Sequence, residues 1–299
     1  MKMKKIHGLA RTALLGIATV FLGAMSVLFI TPIVLTITNS FMSQSEIASN
    51  YGKIFESVTS AGTYVSDRVN LKIIPDLVSF SQYETVLLKS PDYLLKFWNS
   101  VILVVPIVIF QTLVALLAAY GFARFDTKWR SGIFFAYIIL MLMPYQVTLV
   151  PNYLVINEMN LLNTRWAIIL PGIFSPFSVF ILTKFMKRIP SAIVEAAKLD
   201  GAGEWQIFSK IYMPMCRATL YSVAILVFID YWNMVEQPLI LLTDSELYPL
   251  SVFLSKINEG DTGIALAIAV IYMVPPVLLF LYSEDYLIDG IAYSASVKG

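Results

Sequence analysis

Two carboxylates, Asp230 and Glu236, stand in the stretch from Ala218 to Thr243, which carries no other charge. A carboxylate inside a membrane costs roughly 2.5 to 3.5 kcal/mol on insertion scales, so it marks a functional cavity by default. Asn233, Gln237 and the rings of Tyr231 and Trp232 stand beside them, and Gln146 follows Pro144 in an earlier apolar stretch. Read as one helix, Asp230, Asn233 and Gln237 fall at offsets of three and seven, with Glu236 three beyond Asn233, so these groups share one stripe. Such a stripe either lines a wet cavity or bonds neighbouring helices. An ion-coupled secondary transporter using Asp230 and Glu236 as proton or sodium sites is the competing chemistry, and no inverted repeat accompanies it. An intramembrane aspartyl protease needs facing carboxylates on different helices, whereas these two lie on one stretch. One cysteine, Cys216, and one histidine, His7, exclude an intrachain disulfide, zinc clusters and His-based triads.

A second constellation lies between the fourth and fifth apolar stretches. Pro190 suits the first turn of a helix on which Ile193, Ala196 and Ala197 share a face. Gly201 and Gly203 then break it, and a second amphipathic piece carries Trp205, Phe208 and Ile211 or Tyr212 on one side before Pro214. Alanines let a partner backbone approach closely, and Gly201 permits a turn that other residues resist. Docking of a partner and adsorption on lipid both fit this pattern, although an interfacial helix usually carries Lys or Arg along its polar face. No phosphate-binding Gly-x-x-x-x-Gly-Lys-Ser/Thr occurs: Gly52-Lys53 is the only Gly-Lys pair, with Ile47 where the first glycine should be and Ile54 after the lysine.

The elements that position these groups are set by composition. The chain of 299 residues is 58% hydrophobic and 14% charged, against about 25% charged in soluble domains. Its 21 basic and 20 acidic residues leave no polybasic surface for nucleic acid. Thr12 to Ser45, Phe97 to Ala123, Ser131 to Asn157, Trp166 to Thr183 and Thr262 to Ser283 carry no charge, and Ala218 to Thr243 makes six stretches able to cross a core of roughly 30 Å. The first is too long for a signal peptide and reads as a retained anchor. With both termini inside, fourteen of the 21 basic residues are cytoplasmic, and five of the other seven lie in a long outer segment that translocates regardless of charge. The expected fold class is therefore an all-α integral membrane protein of six transmembrane helices, N-terminus and C-terminus cytoplasmic. Residues 1–12 form the cytoplasmic N-terminus, 13–38 the first transmembrane helix and 39–96 an extracytoplasmic segment, a small cap. The transmembrane domain spans 97–286 with a cytoplasmic loop at 187–216, and 287–299 form the cytoplasmic tail. Cys216 is read as an apolar filler, and Trp98, Trp129, Trp166 and Tyr248 as headgroup-level anchors.

In its 20-residue spacing, Glu195-Ala196-Ala197, Gly201, Ile211 and Pro214 resemble the EAA loop of permease subunits of bacterial ATP-binding-cassette importers. The resemblance runs from about Phe80 to the C-terminus: Asn99-Ser100, Tyr120-Gly121-Phe122-Ala123-Arg124, Pro144-Tyr145-Gln146 with Pro151, Leu161-Leu162-Asn163-Thr164, Trp232-Asn233 with Pro238-Leu239, and Val297-Lys298-Gly299 look like the maltose-type branch, in kind the smaller permease of oligosaccharide importers. Met213 stands where the family usually has leucine, and Ser294 replaces the second glycine of the tail pattern that begins at Gly290.

The resemblance implies a type I importer bundle in the bacterial cytoplasmic membrane. This chain would form half of the path for a sugar, a second homologous permease the other half, with two ATPase subunits docked beneath and an external solute-binding protein delivering the substrate. Glu195, Ala196, Ala197, Asp200 and Gly201 would couple to the ATPase. Gln146, Asp230, Tyr231, Trp232, Asn233, Glu236 and Gln237 become the candidate sugar path, since carboxylates and amides bond hydroxyls while a ring offers an apolar face. No cofactor is expected on this chain, because ATP and Mg would be used by the partner ATPase.

A cysteine at Lys198 is expected to react with an impermeant thiol reagent only from the cytoplasmic side, and one at Ser60 only from outside. Labelling of both from one side would defeat the six-span reading.

Overall fold

The computed structural model describes residues 2–51, 71–125, 127–256 and 262–296, all helices and connecting turns, with no strand among the described residues. Ser60, the Gly52-Lys53 pair and the ending Val297-Lys298-Gly299 lie outside them, as do the side chains of His7, Gly290 and Ser294. The chain divides into two compact units: 1–91 with 257–271, and 92–256 with 272–299.

In the first unit, α1 (Lys2–Asn39) exposes Leu14, Ile17, Phe21, Leu28 and Phe29, the surface of a helix made for lipid. The hydroxyls of Thr19, Ser26, Thr31, Thr36 and Thr38 donate back along the helix, Thr19 Oγ1 to the Leu15 carbonyl at 2.9 Å and Thr31 Oγ1 to that of Val27 at 2.7 Å, so these five are paired within the helix. Then follow α2 (Gln44–Tyr51), α3 (Ser81–Glu84) and one π-turn (Thr85–Lys89). Ser40 Oγ and Tyr83 Oη share a hydrogen bond of 2.7 Å, and Gln82 Nε2 donates to the Met42 carbonyl at 2.6 Å. The apolar clusters around Leu71 to Phe80 remain exposed.

The second unit holds α4 (Pro91–Arg124, of which Pro91 belongs to the first unit), α5 (Lys128–Leu142), α6 (Tyr145–Glu158), α7 (Trp166–Gly172) and α8 (Pro176–Met186). After these come α9 (Ser191–Leu199), α10 (Glu204–Ile207), a π-turn (Phe208–Tyr212), α11 (Met213–Met215), α12 (Arg217–Trp232), α13 (Glu236–Leu241) and α14 (Leu250–Leu254). The last helix, α15 (Thr262–Ser296), begins in the first unit and ends in the second. The core gathers Leu103, Ile107, Leu182, Met186, Ile207, Val223 and Trp232.

Among the described residues, four helical segments are long and apolar enough to cross a membrane: Leu14–Asn39, Pro91–Arg124, Trp166–Met186 and Thr262–Glu284. Two bent pairs, Lys128–Leu142 with Tyr145–Glu158 at 105° and Glu204–Met215 with Arg217–Trp232 at 72°, bring the number to six where each pair crosses once.

Prolines set the breaks. Met143 precedes Pro144 and is pushed to ψ 128°, and Pro144 itself caps α6 at ψ 144°, so the third apolar stretch cannot continue straight. Ser175 caps α8, accepting from the Ser178 amide at 3.4 Å, with Pro176 in the first turn. Pro238 has no N–H for the Met234 carbonyl and its ring crowds that oxygen. The fifth stretch therefore breaks at residues 233–235, and the Met234 carbonyl accepts instead from Ser251 Oγ at 2.5 Å. The single continuous helix expected from Ala218 to Thr243 is two helices, because the proline removes the bond that would join them.

Gly172 marks the tightest interior approach in the second unit. A Cβ there would lie 3.0 Å from Ile107 Cδ1 and 3.0 Å from its Cγ1, and Ile107 is fully buried. Gly172→Val should lower the thermal midpoint of the detergent-solubilised protein, at a cost of about 1 to 3 kcal/mol, with partial recovery in Gly172→Val/Ile107→Ala. An unchanged midpoint in the single variant would contradict this packing.

Candidate functional site

Helix α9 starts at Ser191, and Pro190 is its cap (φ −61°, ψ 133°) rather than its first residue. Val194 points into the core with Ala197 packed beside it, while Ile193, Glu195, Ala196, Lys198 and Leu199 are exposed. Of the expected face, Ile193 and Ala196 are exposed and Ala197 is half-buried beside Val194, which anchors the opposite side of the helix. Asp200 ends the helix, and Gly201 adopts φ 78°. The Gly201 amide donates to the Lys198 carbonyl at 3.0 Å and the Ala202 amide to that of Ala197 at 2.9 Å, the paired bonds of a left-handed C-terminal cap. Nothing lies within 4 Å of a Cβ at Gly201, so backbone conformation alone demands glycine there.

The second piece also divides differently from the sequence reading. Ile207, Phe208, Tyr212 and Cys216 are buried, whereas Trp205 is 70% exposed and touches only the margin of the core through the Phe208 ring, 5.3 Å away. Leu199, 90% exposed, and Trp205 leave the loop with large apolar side chains facing outward.

Glu204 joins this loop to α4, a role its sequence position did not suggest. Tyr120 Oη donates to Glu204 Oε2 at 2.6 Å, and Arg124 donates from Nε to Oε2 at 3.3 Å and from Nη2 to Oε1 at 3.1 Å. Lys198 Nζ lies 3.4 Å from Oε1. The Tyr120 hydroxyl, with Arg124 and Lys198, holds the Glu204 carboxyl below the usual carboxylate range. The Tyr120 ring packs on Phe208 and Tyr212 at 5.1 and 5.0 Å, and Arg130 Nη1 donates to the Gly121 carbonyl at 3.1 Å. Beside this joint, a cleft of about 650 Å³ is lined by Arg124, Lys187, Arg188, Val194, Glu195 and Lys198, among others.

A larger cavity of about 780 Å³ lies deeper in the second unit. Tyr145, Thr148, Asn152, Ser175, Asp230, Tyr231 and Gln237 line it beside apolar groups, with Gln111 at its wall donating to Ser178 Oγ at 2.9 Å. None of its lining residues is Lys, Arg or His. Of the candidate path residues, the structure brings Asp230, Tyr231 and Gln237 to this cavity; Gln146, Trp232, Asn233 and Glu236 do not line it. The break at 233–235 ends the single stripe and takes Asn233 and Glu236 off the face that Asp230 presents. Trp232 offers no free ring face: it is 1% exposed, stacked on Phe228 at 5.2 Å and on Tyr272 at 5.4 Å. Asn233 is structural, donating to the Ile229 carbonyl at 2.7 Å and accepting from Tyr272 Oη at 3.0 Å. Gln146 and Glu236 are exposed on this chain.

At the far end of α4 from Arg124, a polar network organises the loop after α13. Asn99 Nδ2 donates to the Glu246 and Tyr248 carbonyls at 2.6 and 3.2 Å, and Arg165 Nη2 donates to Asn99 Oδ1 at 2.9 Å. The Leu250 amide donates to Ser100 Oγ at 2.9 Å. Asn163, at φ 58°, accepts from the Thr243 and Asp244 amides at 3.0 and 2.9 Å. These side chains stood out in the sequence only as recurrent pairs; their backbone partners are carbonyls and amides some 80 to 150 residues away, which carry no side-chain signal.

Residues 85–291 match the family described as binding-protein-dependent transport system inner membrane component. The arabinooligosaccharides transport system permease protein AraQ of Halalkalibacterium halodurans is 28% identical over 268 residues, covering 89% of this chain and 96% of that one. The lactose transport system permease protein LacG of Rhizobium radiobacter is 31% identical over 202 residues, 67% of this chain and 74% of that one. Among solved structures, a chain of a bacterial ABC transporter involved in the import of the acidic polysaccharide alginate superposes with a TM-score of 0.74 at 21% identity, over 90% of this chain and 95% of that one, which shows a shared fold.

Proposed function

The chain belongs to the binding-protein-dependent transport system inner membrane components, the permease subunits of ABC importers, and from that premise we propose that it forms half of the path for an oligosaccharide. The ion-coupled carrier reading of Asp230 and Glu236 falls with this membership, and the two carboxylates stand on separate helices. In the proposed assembly a second, homologous permease completes the path. Two ATPase subunits bind at the loop of residues 187–216 and hydrolyse ATP, and an external solute-binding protein supplies the sugar. Six crossings with both termini in the cytoplasm, in a bacterial cytoplasmic membrane, place that loop on the ATPase side.

The observation that carries this reading is the coupling loop. A short helix is closed by a left-handed cap at Gly201, with Glu195, Ala196, Lys198 and Leu199 exposed and Val194 anchoring it to the core. An adsorbed helix would turn its large apolar residues toward lipid together; here Val194 is turned inward and the outward face mixes charge, alanine and Leu199. Such a face suits a groove in a protein partner. The cavity supports the substrate class: polar groups, Asp230 among them, for hydroxyls and the Tyr145 and Tyr231 rings for sugar faces. The names of the AraQ and LacG relatives, which concern arabinooligosaccharides and lactose, agree with it.

Gly201→Asp should insert in the membrane but lose the copurifying ATPase, since any Cβ at φ 78° costs about 1 to 2 kcal/mol and the added charge repels Asp200. Gly203→Ala, at φ −74° with open space around its Cβ, is the control and should retain the ATPase. Full ATPase retention and transport in Gly201→Asp would defeat the docking role. In proteoliposomes with the binding protein, Tyr231→Ala should raise the sugar concentration for half-maximal transport by roughly tenfold, the loss of about 1.4 kcal/mol, with the complex still assembled. An unchanged sugar dependence would remove the cavity from the path.

A further inference from the structure

The loop that docks a partner must also hand its motion to the membrane helices, and the contacts that do so are specific. Two side chains one turn apart on α4, Tyr120 and Arg124, converge on a single acceptor in the loop, the Glu204 carboxylate. The same carboxylate is the acceptor for Lys198, which stands on α9 itself. Between the end of α4 and α9 lies the cleft of about 650 Å³, lined by Arg124, Val194, Glu195 and Lys198 among others, so the two helices have room to move against each other. The carboxylate bridges them across it. Arginine's planar fork meets both Glu204 oxygens, which fixes direction as well as distance, while the flexible lysine tolerates change.

Burial shows what kind of bond this is. The Glu204 side chain is 42% exposed and that of Lys198 51%. Partly solvated ion pairs contribute little to stability, typically up to about 1 kcal/mol, so this group is poorly suited to holding the fold together and well suited to being remade in each cycle. Tyr120, with its hydroxyl on Glu204 and its ring between Phe208 and Tyr212, keeps the carboxylate against α4 as the loop shifts.

We infer that Glu204 is the joint through which displacement of the ATPase-docking helix α9 is carried into α4, making Glu204, Tyr120 and Arg124 positioning residues for coupling rather than parts of the ATPase contact. This rests on the reading of the 187–216 loop as the docking element. The aromatic contacts of Tyr120 with Phe208 and Tyr212 would survive loss of the carboxylate charge, so the two kinds of contact can be separated by substitution.

The test uses the assembled importer, with both permeases, both ATPases and the binding protein, in proteoliposomes. It measures ATPase retention, ATP hydrolysed and sugar delivered. Glu204→Gln and Tyr120→Phe should retain the ATPase and hydrolyse ATP, yet deliver roughly fivefold less sugar per ATP, as loss of a typical coupling energy predicts. Exchange of the charges in Arg124→Glu/Glu204→Arg should recover more of that ratio than either single variant. A normal sugar-to-ATP ratio in Glu204→Gln and Tyr120→Phe, with the ATPase retained, would overturn the joint while leaving the docking loop intact. Loss of the ATPase from Glu204→Gln would also overturn it, by making Glu204 part of the ATPase contact. If Gly201→Asp retained the ATPase and transported normally, the docking reading itself would fail and the joint with it.

Discussion

Inside a bilayer, a carbonyl released by a proline or by the end of a helix has no water to bond, and leaving it alone costs several kcal/mol. That constraint fixes where this chain can bend. The fifth apolar stretch breaks at residues 233–235 because Pro238 frees the Met234 carbonyl, and the break is tolerated because Ser251 Oγ supplies the missing donor. Two residues earlier, the Trp232 carbonyl accepts from Tyr272 Oη at 2.6 Å, and Trp232 Nε1 returns a bond to the Tyr272 carbonyl at 3.2 Å. Stacking of the two rings closes this reciprocal pair. Trp232, which looked like part of a ligand face in the sequence, thus supplies packing and a donor beside the break.

The same accounting explains which parts of the chain were legible as sequence. Helices facing hydrocarbon announce themselves by absence of charge, because a charged side chain in hydrocarbon is costly, and they are helices because every backbone group is then satisfied within the segment. Gly201 was legible because only glycine adopts φ 78° without strain, and Cys216 because a small apolar side chain at a helix border packs inward, where the structure buries it fully. The polar stripe from Asp230 to Gln237 was misread, since the helical period was extended through a proline whose effect falls four residues upstream. Pro238 was visible, and its consequence for Met234 could have been drawn from it. Glu204 had no such signal. It sits in a short turn beside two glycines and a tryptophan, and its meaning comes from Tyr120 and Arg124, more than 75 residues away.

Polar side chains serve two purposes in the second unit, and partnership separates them. Asn99, Asn163 and Asn233 each bond atoms on another element, and Ser251 bonds the carbonyl that Pro238 strands, so they act as fixed ties between elements. Asp230, Tyr231 and Gln237 instead stand at the wall of the 780 Å³ cavity, among apolar neighbours. A ligand that brings its own hydroxyls can supply bonds to such groups.

Helix α4 connects the two organised ends of this unit. Leu103, Ile107, Gln111, Ala115 and Ala119, four residues apart in turn, are buried along one side of it, so it packs as a unit with the core. Its 34 residues span about 50 Å at 1.5 Å per residue. Pro106, inside the helix, has no N–H for the Ile102 carbonyl, so the packing of that buried side, rather than an unbroken backbone ladder, holds the helix in place there. At one end Tyr120 and Arg124 hold the Glu204 carboxylate, and at the other Asn99 and Ser100 hold the Glu246, Tyr248 and Leu250 backbone directly. One element thus bonds the loop after α9 and the loop after α13, and the cavity wall at Gln111 lies between those two sets of contacts.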